Sequence, residues 1–171
     1  MDVISLIIHV TAAAIFIGPQ VLMFYAVTPA SWLIEDEKLK RQVVTVIARR
    51  FAMLAGTSLV VLLVTGLYQF YSVVPEPVRE DMMGYRFGMI FMLKMTLFTL
   101  VVVLVMVHAM VFARRIRRLA DAFDAGEATA AELERARMQS FLFSALLLFV
   151  SIGVLWLGVA LGHGEYSHVP V

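Results

Sequence analysis

Four long apolar stretches divide this chain, and few charged residues interrupt them. No Asp, Glu, Lys or Arg occurs in residues 3–34, 51–75 or 139–164, and residues 87–113 contain only Lys94. A helix that crosses a bilayer needs about 20 predominantly apolar residues. We therefore predict an all-α integral membrane protein, a four-helix bundle in one transmembrane domain over residues 1–171. Its spans lie at about 3–28, 51–75, 87–113 and 139–163.

The polar segments between the spans also show helical periodicity. Leu39, Val43 and Ile47 recur every four residues with charges between them, which predicts an amphipathic helix at about 38–50 on the cytoplasmic surface, running into the second span. Beyond the third span, apolar residues keep a helical period until Gly126, which is typical of a helix C-terminus. The segment from Thr129 to Glu132 has the pattern of a capping box. We therefore expect helices 3 and 4 to extend into the cytoplasm as a hairpin.

The distribution of basic residues predicts the orientation of the chain. Eleven of the fourteen Lys and Arg residues lie in the first and third connections: Lys38, Lys40, Arg41, Arg49, Arg50, Arg114, Arg115, Arg117, Arg118, Arg135 and Arg137. With four spans, these two connections lie on the same side, and the positive-inside rule makes that side cytoplasmic. Both termini are then outside. The run from Arg114 to Arg118 could also contact anionic lipid, although its function as a topology determinant is the simpler interpretation.

Composition supports a membrane location and excludes several kinds of chemistry. The chain is 61% hydrophobic with a mean hydropathy of +0.89, whereas soluble domains are about 45–50% apolar. There is no cysteine, which excludes thiolate chemistry, iron–sulfur clusters and disulfides. No Lys or Arg precedes the first apolar stretch, which favours a first span over a cleavable signal peptide. We expect a multi-pass protein of a bacterial or archaeal inner membrane, with lipid around it and no nucleic-acid partner.

Three ionisable side chains lie inside the apolar stretches: His9, Lys94 and His108. A charged group at the bilayer centre costs roughly 2.5–3.5 kcal/mol in insertion assays, so such residues usually face a protein interior, a cofactor or a water-filled cavity. From the helix rise, His9 and Lys94 lie ~9 and ~10 Å from the outer ends of their spans, and His108 lies ~21 Å further along than Lys94. We therefore expect His9 and Lys94 to meet, whereas His9 and His108 cannot ligate the same haem.

His9 is the strongest candidate for a cofactor ligand, because no polar partner is adjacent to it in the sequence. Small residues follow it, and the second span has Thr65, Gly66 and Gln69 at a similar outer depth. Small residues allow helices to approach closely or leave a slot for a flat macrocycle. We expect His9, Gln69 and His108 to contact a cofactor. His9 could pair with Lys94, a methionine or the tail histidines, and a metal site could include His9, His163 and His168.

Other interpretations of these residues stay open. Lys94 could extend its ammonium to the outer headgroups, and His108 could be a structural residue at the inner interface. Eleven methionines are present, five of them between Met82 and Met95, and thioethers select Cu(I). Methionine is also a common gap-filling residue, so copper is the alternative cofactor.

The pattern resembles a known superfamily of four-helix membrane proteins, which includes the copper-resistance CopD domain and the HemJ-type protoporphyrinogen oxidases. The resemblance rests on scattered residues between about 5 and 160: Ile8-His9-Val10, Ile17-Gly18, Arg49-Arg50-Phe51, Thr65-Gly66-Leu67, Lys94 and His108. It implies a bundle that binds b-type haem, with functional positions at His9 and, in a catalytic role, Lys94. The chain departs from the pattern where Phe16-Ile17-Gly18 and Pro19-Gln20 replace a Trp-x-Gly.

These observations predict a membrane haem-b redox protein that passes electrons to or from quinone, or oxidises a lipid-soluble or porphyrin substrate. It would then be an oxidoreductase, with protoporphyrinogen oxidation as one version. The first alternative is a copper uptake or resistance protein. The second is a non-catalytic subunit of a larger membrane complex or a homo-oligomer.

Overall fold

The computed structural model describes residues 3–170, which form helices and short connections and contain no strand. In chain order the helices are α1 (Val3–Trp32), α2 (Glu37–Ser72), α3 (Glu76–Glu80), α4 (Arg86–Asp124), α5 (Ala130–Gly162) and α6 (Gly164–Ser167). Helices α1, α2, α4 and α5 are long and apolar enough to cross a membrane. The all-helical class and the four apolar helices confirm the prediction from the hydropathy pattern. The bundle arrangement and the side of each terminus stay predictions.

The surfaces of the long helices are apolar. Only 11% to 17% of the residues in the most apolar window of each long helix are buried. Large side chains such as Tyr25, Phe149 and Trp156 are exposed. Soluble monomers rarely expose continuous apolar surfaces of this kind. The exposed faces therefore match a chain surrounded by lipid, consistent with a multi-pass membrane protein.

In the first connection, one continuous helix joins the predicted amphipathic stretch to the second span, and the position of this stretch on a cytoplasmic surface stays a prediction. Helix α2 begins after Asp36, whose carboxylate accepts hydrogen bonds from the backbone N–H groups of Lys38 and Leu39 at 2.8 and 3.1 Å. From there the helix continues for 36 residues without interruption. The amphipathic stretch is therefore the first part of this long helix, because its N-cap precedes the stretch and no break separates it from the apolar part.

The turn between α4 and α5 has the two local signals that the sequence predicted. Gly126 has a φ of +76°, the left-handed conformation that glycine adopts at helix ends. The backbone N–H of Thr129 donates to the Glu132 carboxylate at 2.8 Å, and the Glu132 N–H donates to the Thr129 hydroxyl at 3.3 Å. This reciprocal pair is a capping box. Both signals are confirmed, and they define a sharp helical hairpin.

The chain divides into two compact units, Met1–Ile90 with Ala160–Val171, and Phe91–Val159. In the first unit, α1 packs antiparallel on α2, with Ala12 and Phe16 of α1 and Ala55 and Leu59 of α2 all buried. The C-terminal tail also packs here, since the backbone N–H of Arg86 donates to the carbonyl of Val169 at 2.9 Å. The tail is therefore held by backbone pairing and includes a short helix.

The second unit is an antiparallel hairpin built from residues 91–124 of α4 and the part of α5 before residue 160. Val101 and Leu104 of α4 and Leu147 of α5 are buried along its apolar part. Toward the turn, Ala120 is 5% exposed and Ala136 only 1%. These small side chains allow the two helices to approach closely beyond the apolar region.

Candidate functional site

A polar cluster lies between α1 and α2 in the first unit, and we refer to Ser5, His9, Thr65 and Gln69 as the polar ladder. The Nδ1 atom of His9 is 2.7 Å from the Oγ1 atom of Thr65. One turn away on both helices, the Nε2 atom of Gln69 donates to the carbonyl of Ser5 at 3.3 Å. Ser5 and His9 lie one turn apart on α1, and they therefore face Gln69 and Thr65, which lie one turn apart on α2.

The hydrogen bonds of Thr65 indicate which nitrogen of His9 carries the proton. The Thr65 hydroxyl has one proton, and it points to the carbonyl of Val61 at 2.6 Å, a common bond to the preceding turn. The hydroxyl oxygen then accepts the N–H of His9 Nδ1. In a neutral imidazole with a protonated Nδ1, the lone pair is on Nε2. Metal-ligating histidines usually have this arrangement, in which the non-ligating nitrogen donates to an oxygen that orients the ring.

Gly66 lies directly beside the His9 ring. A Cβ atom at position 66 would lie 3.4 Å from the Cε1 atom of His9. This is ordinary van der Waals contact, so the imidazole packs directly against the backbone of α2 at this position. Thr65 therefore orients the ring, and Gly66, which has no side chain, leaves room for it. The sequence had named both residues, and the structure brings them to His9.

His108 lies in the second unit within its own hydrogen-bonded cluster. Its Nε2 atom is 3.1 Å from the hydroxyl oxygens of both Ser140 and Ser144. Its ring is stacked near Phe112 and Phe143, with centroid distances of 6.2 and 6.3 Å. A turn of wider, π-helical geometry begins at His108. These contacts favour the structural interpretation, because two hydroxyls already engage one ring nitrogen.

Lys94, also in the second unit, extends along a glycine of the facing helix. A Cβ atom at Gly158 would lie 3.4 Å from the Lys94 Nζ atom. The half-buried ammonium therefore lies directly beside Gly158 on α5. The contact of Lys94 with His9 that the depth argument predicts stays a prediction.

The tail histidines have separate surroundings in the first unit. The ring of His168 packs on Phe87, with centroids 6.0 Å apart, whereas His163 is exposed at the start of α6. Within residues 3–170, no three His, Asp or Glu side chains are close enough together to hold a metal ion. His9, His163 and His168 therefore do not form one three-ligand group in this structure.

Three functional candidates escaped the sequence argument, although each has a recognisable signal. Ser140 and Ser144 are four residues apart in an apolar stretch, which places two hydroxyls on one helix face. Ser5 is four residues before His9 and lies on the same face of α1. Polar pairs at this spacing within a membrane helix are therefore a guide to buried polar contacts.

Comparisons with protein-family models, curated proteins and solved structures find no significant match to this chain. The resemblance to the CopD and HemJ superfamily accordingly stays an expectation that rests on the residues quoted above.

We predict that His108→Ala leaves any bound cofactor in place. The two serines that contact His108 can bond to carbonyls of their own helix, as Ser144 already does with Ser140 at 2.9 Å. The absorption spectrum and the cofactor stoichiometry of the purified variant should match those of the wild type. Loss of a haem in this variant would show that His108 is a ligand at a second site.

Proposed function

We propose that this protein is a membrane haem-b redox protein in which His9 would hold the haem iron through Nε2. The observation that supports this most is the hydrogen bond between His9 Nδ1 and the Thr65 hydroxyl, which orients the ring through Nδ1 and assigns iron binding to Nε2. Histidine is a common axial ligand of haem iron. The proposed electron partner is quinone or another lipid-soluble substrate, with porphyrin oxidation as one version.

The residues around His9 fit a haem ligand. Thr65 orients the imidazole by accepting a hydrogen bond from its Nδ1–H group. Gly66 leaves room for the ring, and Gln69 places a hydrogen-bonding amide one turn away. Bound haem would supply one-electron transfer. In the second unit, the Lys94 ammonium is a point charge suited to an acidic substrate, and a catalytic role for it is part of the proposal.

Within the first unit, the candidates for a second residue that would hold the iron are a methionine and the tail histidines. Of these, His168 is half-buried beside Phe87 in the same unit as His9, and His163 is exposed there. Single substitutions at these positions, each followed by a spectrum of the reduced protein, would identify the ligand.

The absorption spectrum of the purified full-length protein tests the proposal. A Soret band that shifts on reduction, with iron and haem in stoichiometric amounts, is the expected result. Bound copper without haem would instead identify a copper protein. A colourless protein that co-purifies with other membrane proteins would identify a non-catalytic subunit. Either of the last two outcomes overturns the haem proposal.

We predict that Thr65→Val weakens haem binding without abolishing it. Removing an outer hydrogen-bond acceptor of a ligating histidine typically costs about 10–100-fold in metal affinity. Haem affinity should fall by about tenfold, with a lower yield of loaded protein and a shifted midpoint potential.

Thr99→Val is the matched control for this variant. Its hydroxyl also donates to the carbonyl four residues earlier, Met95, at 2.9 Å, but it lies exposed on α4. This variant should bind haem like the wild type. Equal affinities for the Thr65 and Thr99 variants would contradict the proposed role of Thr65.

The topology that we propose places both termini outside the cytoplasmic membrane. A reporter fused after Val171 should be active only if it functions in the periplasm, because the basic residues of the first and third connections are retained in the cytoplasm. Paired periplasmic and cytoplasmic reporters at this position measure it. Full signal from the cytoplasmic reporter would reverse the orientation and the assignment of His9 to the outer half.

A further inference from the structure

A basic groove lies on the second unit, between α4 and α5 next to the hairpin turn. Its volume is about 820 Å³, and its walls contain four arginines and only one acidic residue. The basic residues are Arg114, Arg115, Arg118 and Arg135. The groove is therefore strongly cationic, and it is built by side chains from both helices.

The single acidic residue of the groove is engaged in the helix cap. The Glu132 carboxylate accepts hydrogen bonds from the backbone N–H and the hydroxyl of Thr129, at 2.8 and 2.9 Å. This carboxylate is therefore held toward the turn. The positive charge of the four guanidinium groups therefore exceeds the negative charge of this carboxylate by three.

The groove also has an apolar end. Met110 and Val111 line it, and both belong to the apolar part of α4 that precedes Arg114. Both of their side chains are exposed, at 50% and 54%. An occupant of the groove would thus contact cations at one end and hydrocarbon at the other.

A hydrogen bond between α4 and α5 holds their charged residues at similar heights along the hairpin. The Arg115 guanidinium donates to the Gln139 side chain at 2.7 Å, which joins the end of the apolar part of α4 to the start of that of α5. Arg118 and Arg135 then lie ~5–6 Å beyond this level, from the rise per residue. All four arginines are therefore at the height where the apolar surface ends, which in a bilayer is the level of the lipid phosphates.

We propose that this groove is a binding site for an anionic membrane phospholipid, with the phosphate among the four arginines and an acyl chain along Met110 and Val111. Guanidinium groups bind phosphate oxygens in a bidentate manner. Basic pockets at the inner ends of membrane helices bind lipid headgroups in this way. The site is independent of the proposed haem ligand, since it uses none of the polar-ladder residues.

Neighbouring arginines that do not line the groove provide matched controls. Arg117 lies in the same basic run, and Arg137 lies two residues from Arg135 and pairs with Glu134, yet neither lines the groove. A run that acts only as diffuse positive charge would be equally sensitive to all of these positions. A built site is sensitive to the groove arginines, such as Arg118 and Arg135, and not to Arg117 or Arg137.

The test is a titration of full-length protein in neutral detergent, with bound lipid counted by native mass spectrometry. Phosphatidylglycerol should bind more tightly than phosphatidylcholine. Arg118→Gln and Arg135→Gln should each weaken phosphatidylglycerol binding by about fivefold, since one arginine near anionic headgroups is worth about a factor of five. Arg117→Gln and Arg137→Gln should change it by less than about twofold. Thermal unfolding of all four variants should match the wild type.

Three outcomes would overturn the proposal. Equal losses in groove and control variants would show diffuse attraction. Equal affinity for phosphatidylcholine would show that the groove does not recognise the net negative charge of the lipid headgroup. Displacement of phosphatidylglycerol by an equal concentration of inorganic phosphate would show that the groove takes a soluble anion. If Arg118→Gln does not fold, the comparison of Arg135→Gln with Arg137→Gln decides the question alone.

Discussion

His9→Ala is expected to remove the haem from this protein. The imidazole is the proposed iron ligand, and alanine offers no atom that can replace it. The Thr65 hydroxyl would stay bonded to Val61, and the helix pair loses the interhelical hydrogen bond that His9 makes to Thr65. Haem content per protein, measured from the Soret band and by extraction, should fall by more than about tenfold, as expected when a metal ligand is lost.

Added imidazole distinguishes a ligand from a structural residue. If His9 ligates iron, free imidazole should restore a Soret band in the His9→Ala protein, because the small molecule can occupy the space left by the side chain. His108→Ala is the control, since His108 lies in the second unit and is engaged by Ser140 and Ser144. It should keep the wild-type spectrum. A His9→Ala protein with its full haem complement would refute the proposed site.

Gly88→Ala is expected to cause the largest loss of stability among simple glycine substitutions. A Cβ atom at this position would overlap the backbone carbonyl of Met82, which is part of the turn before α4. Backbone cannot move aside as a flexible side chain can, so the turn has to shift. Overpacking of this kind typically costs about 1–3 kcal/mol. The adjacent residue Phe87 is buried, and Arg86 pairs with the tail, so the tail should loosen too.

Gly56→Ala is the control for this prediction. A Cβ atom at Gly56 meets nothing within 4 Å, and the residue lies inside α2. Alanine there should be neutral or stabilise the helix by up to about 1 kcal/mol. Thermal unfolding in detergent and protease cleavage of the tail measure the two variants side by side. Equal unfolding temperatures would show that the turn at Met82 is not a fixed part of the fold.

The elements of this protein could be predicted because their signals are local. Each span is a continuous run of apolar residues, and the hairpin turn depends on Gly126 and on a bond between residues three apart, Thr129 and Glu132. Such patterns act within one or two helical turns and need no knowledge of the rest of the chain. Helix α2 begins at the Asp36 cap and is therefore longer than the apolar part of the second span. An N-cap stabilises the start of a helix whether or not apolar residues follow it.

The candidate site was predictable only in part. His9, Lys94 and His108 stood out because ionisable residues are costly in an apolar stretch. Gln69 bonds the backbone of Ser5 in the structure, where its amide is one turn from His9, and its contact with a cofactor stays a prediction. The contacts of His108 with Ser140 and Ser144 depend on residues more than 30 positions away.

The sequence by itself determined that the chain forms four apolar helices with a capped hairpin, and it determined which ionisable residues lie inside them. Those properties follow from the hydropathy pattern and from hydrogen bonds between residues that are close together in the sequence. Only the tertiary structure decided the partners: Thr65 for His9, two serines for His108, Gly158 for Lys94, and the arginines of both helices around one groove. Partners depend on the rotation and register of one helix against another, which are set by the packing of small side chains across the interface.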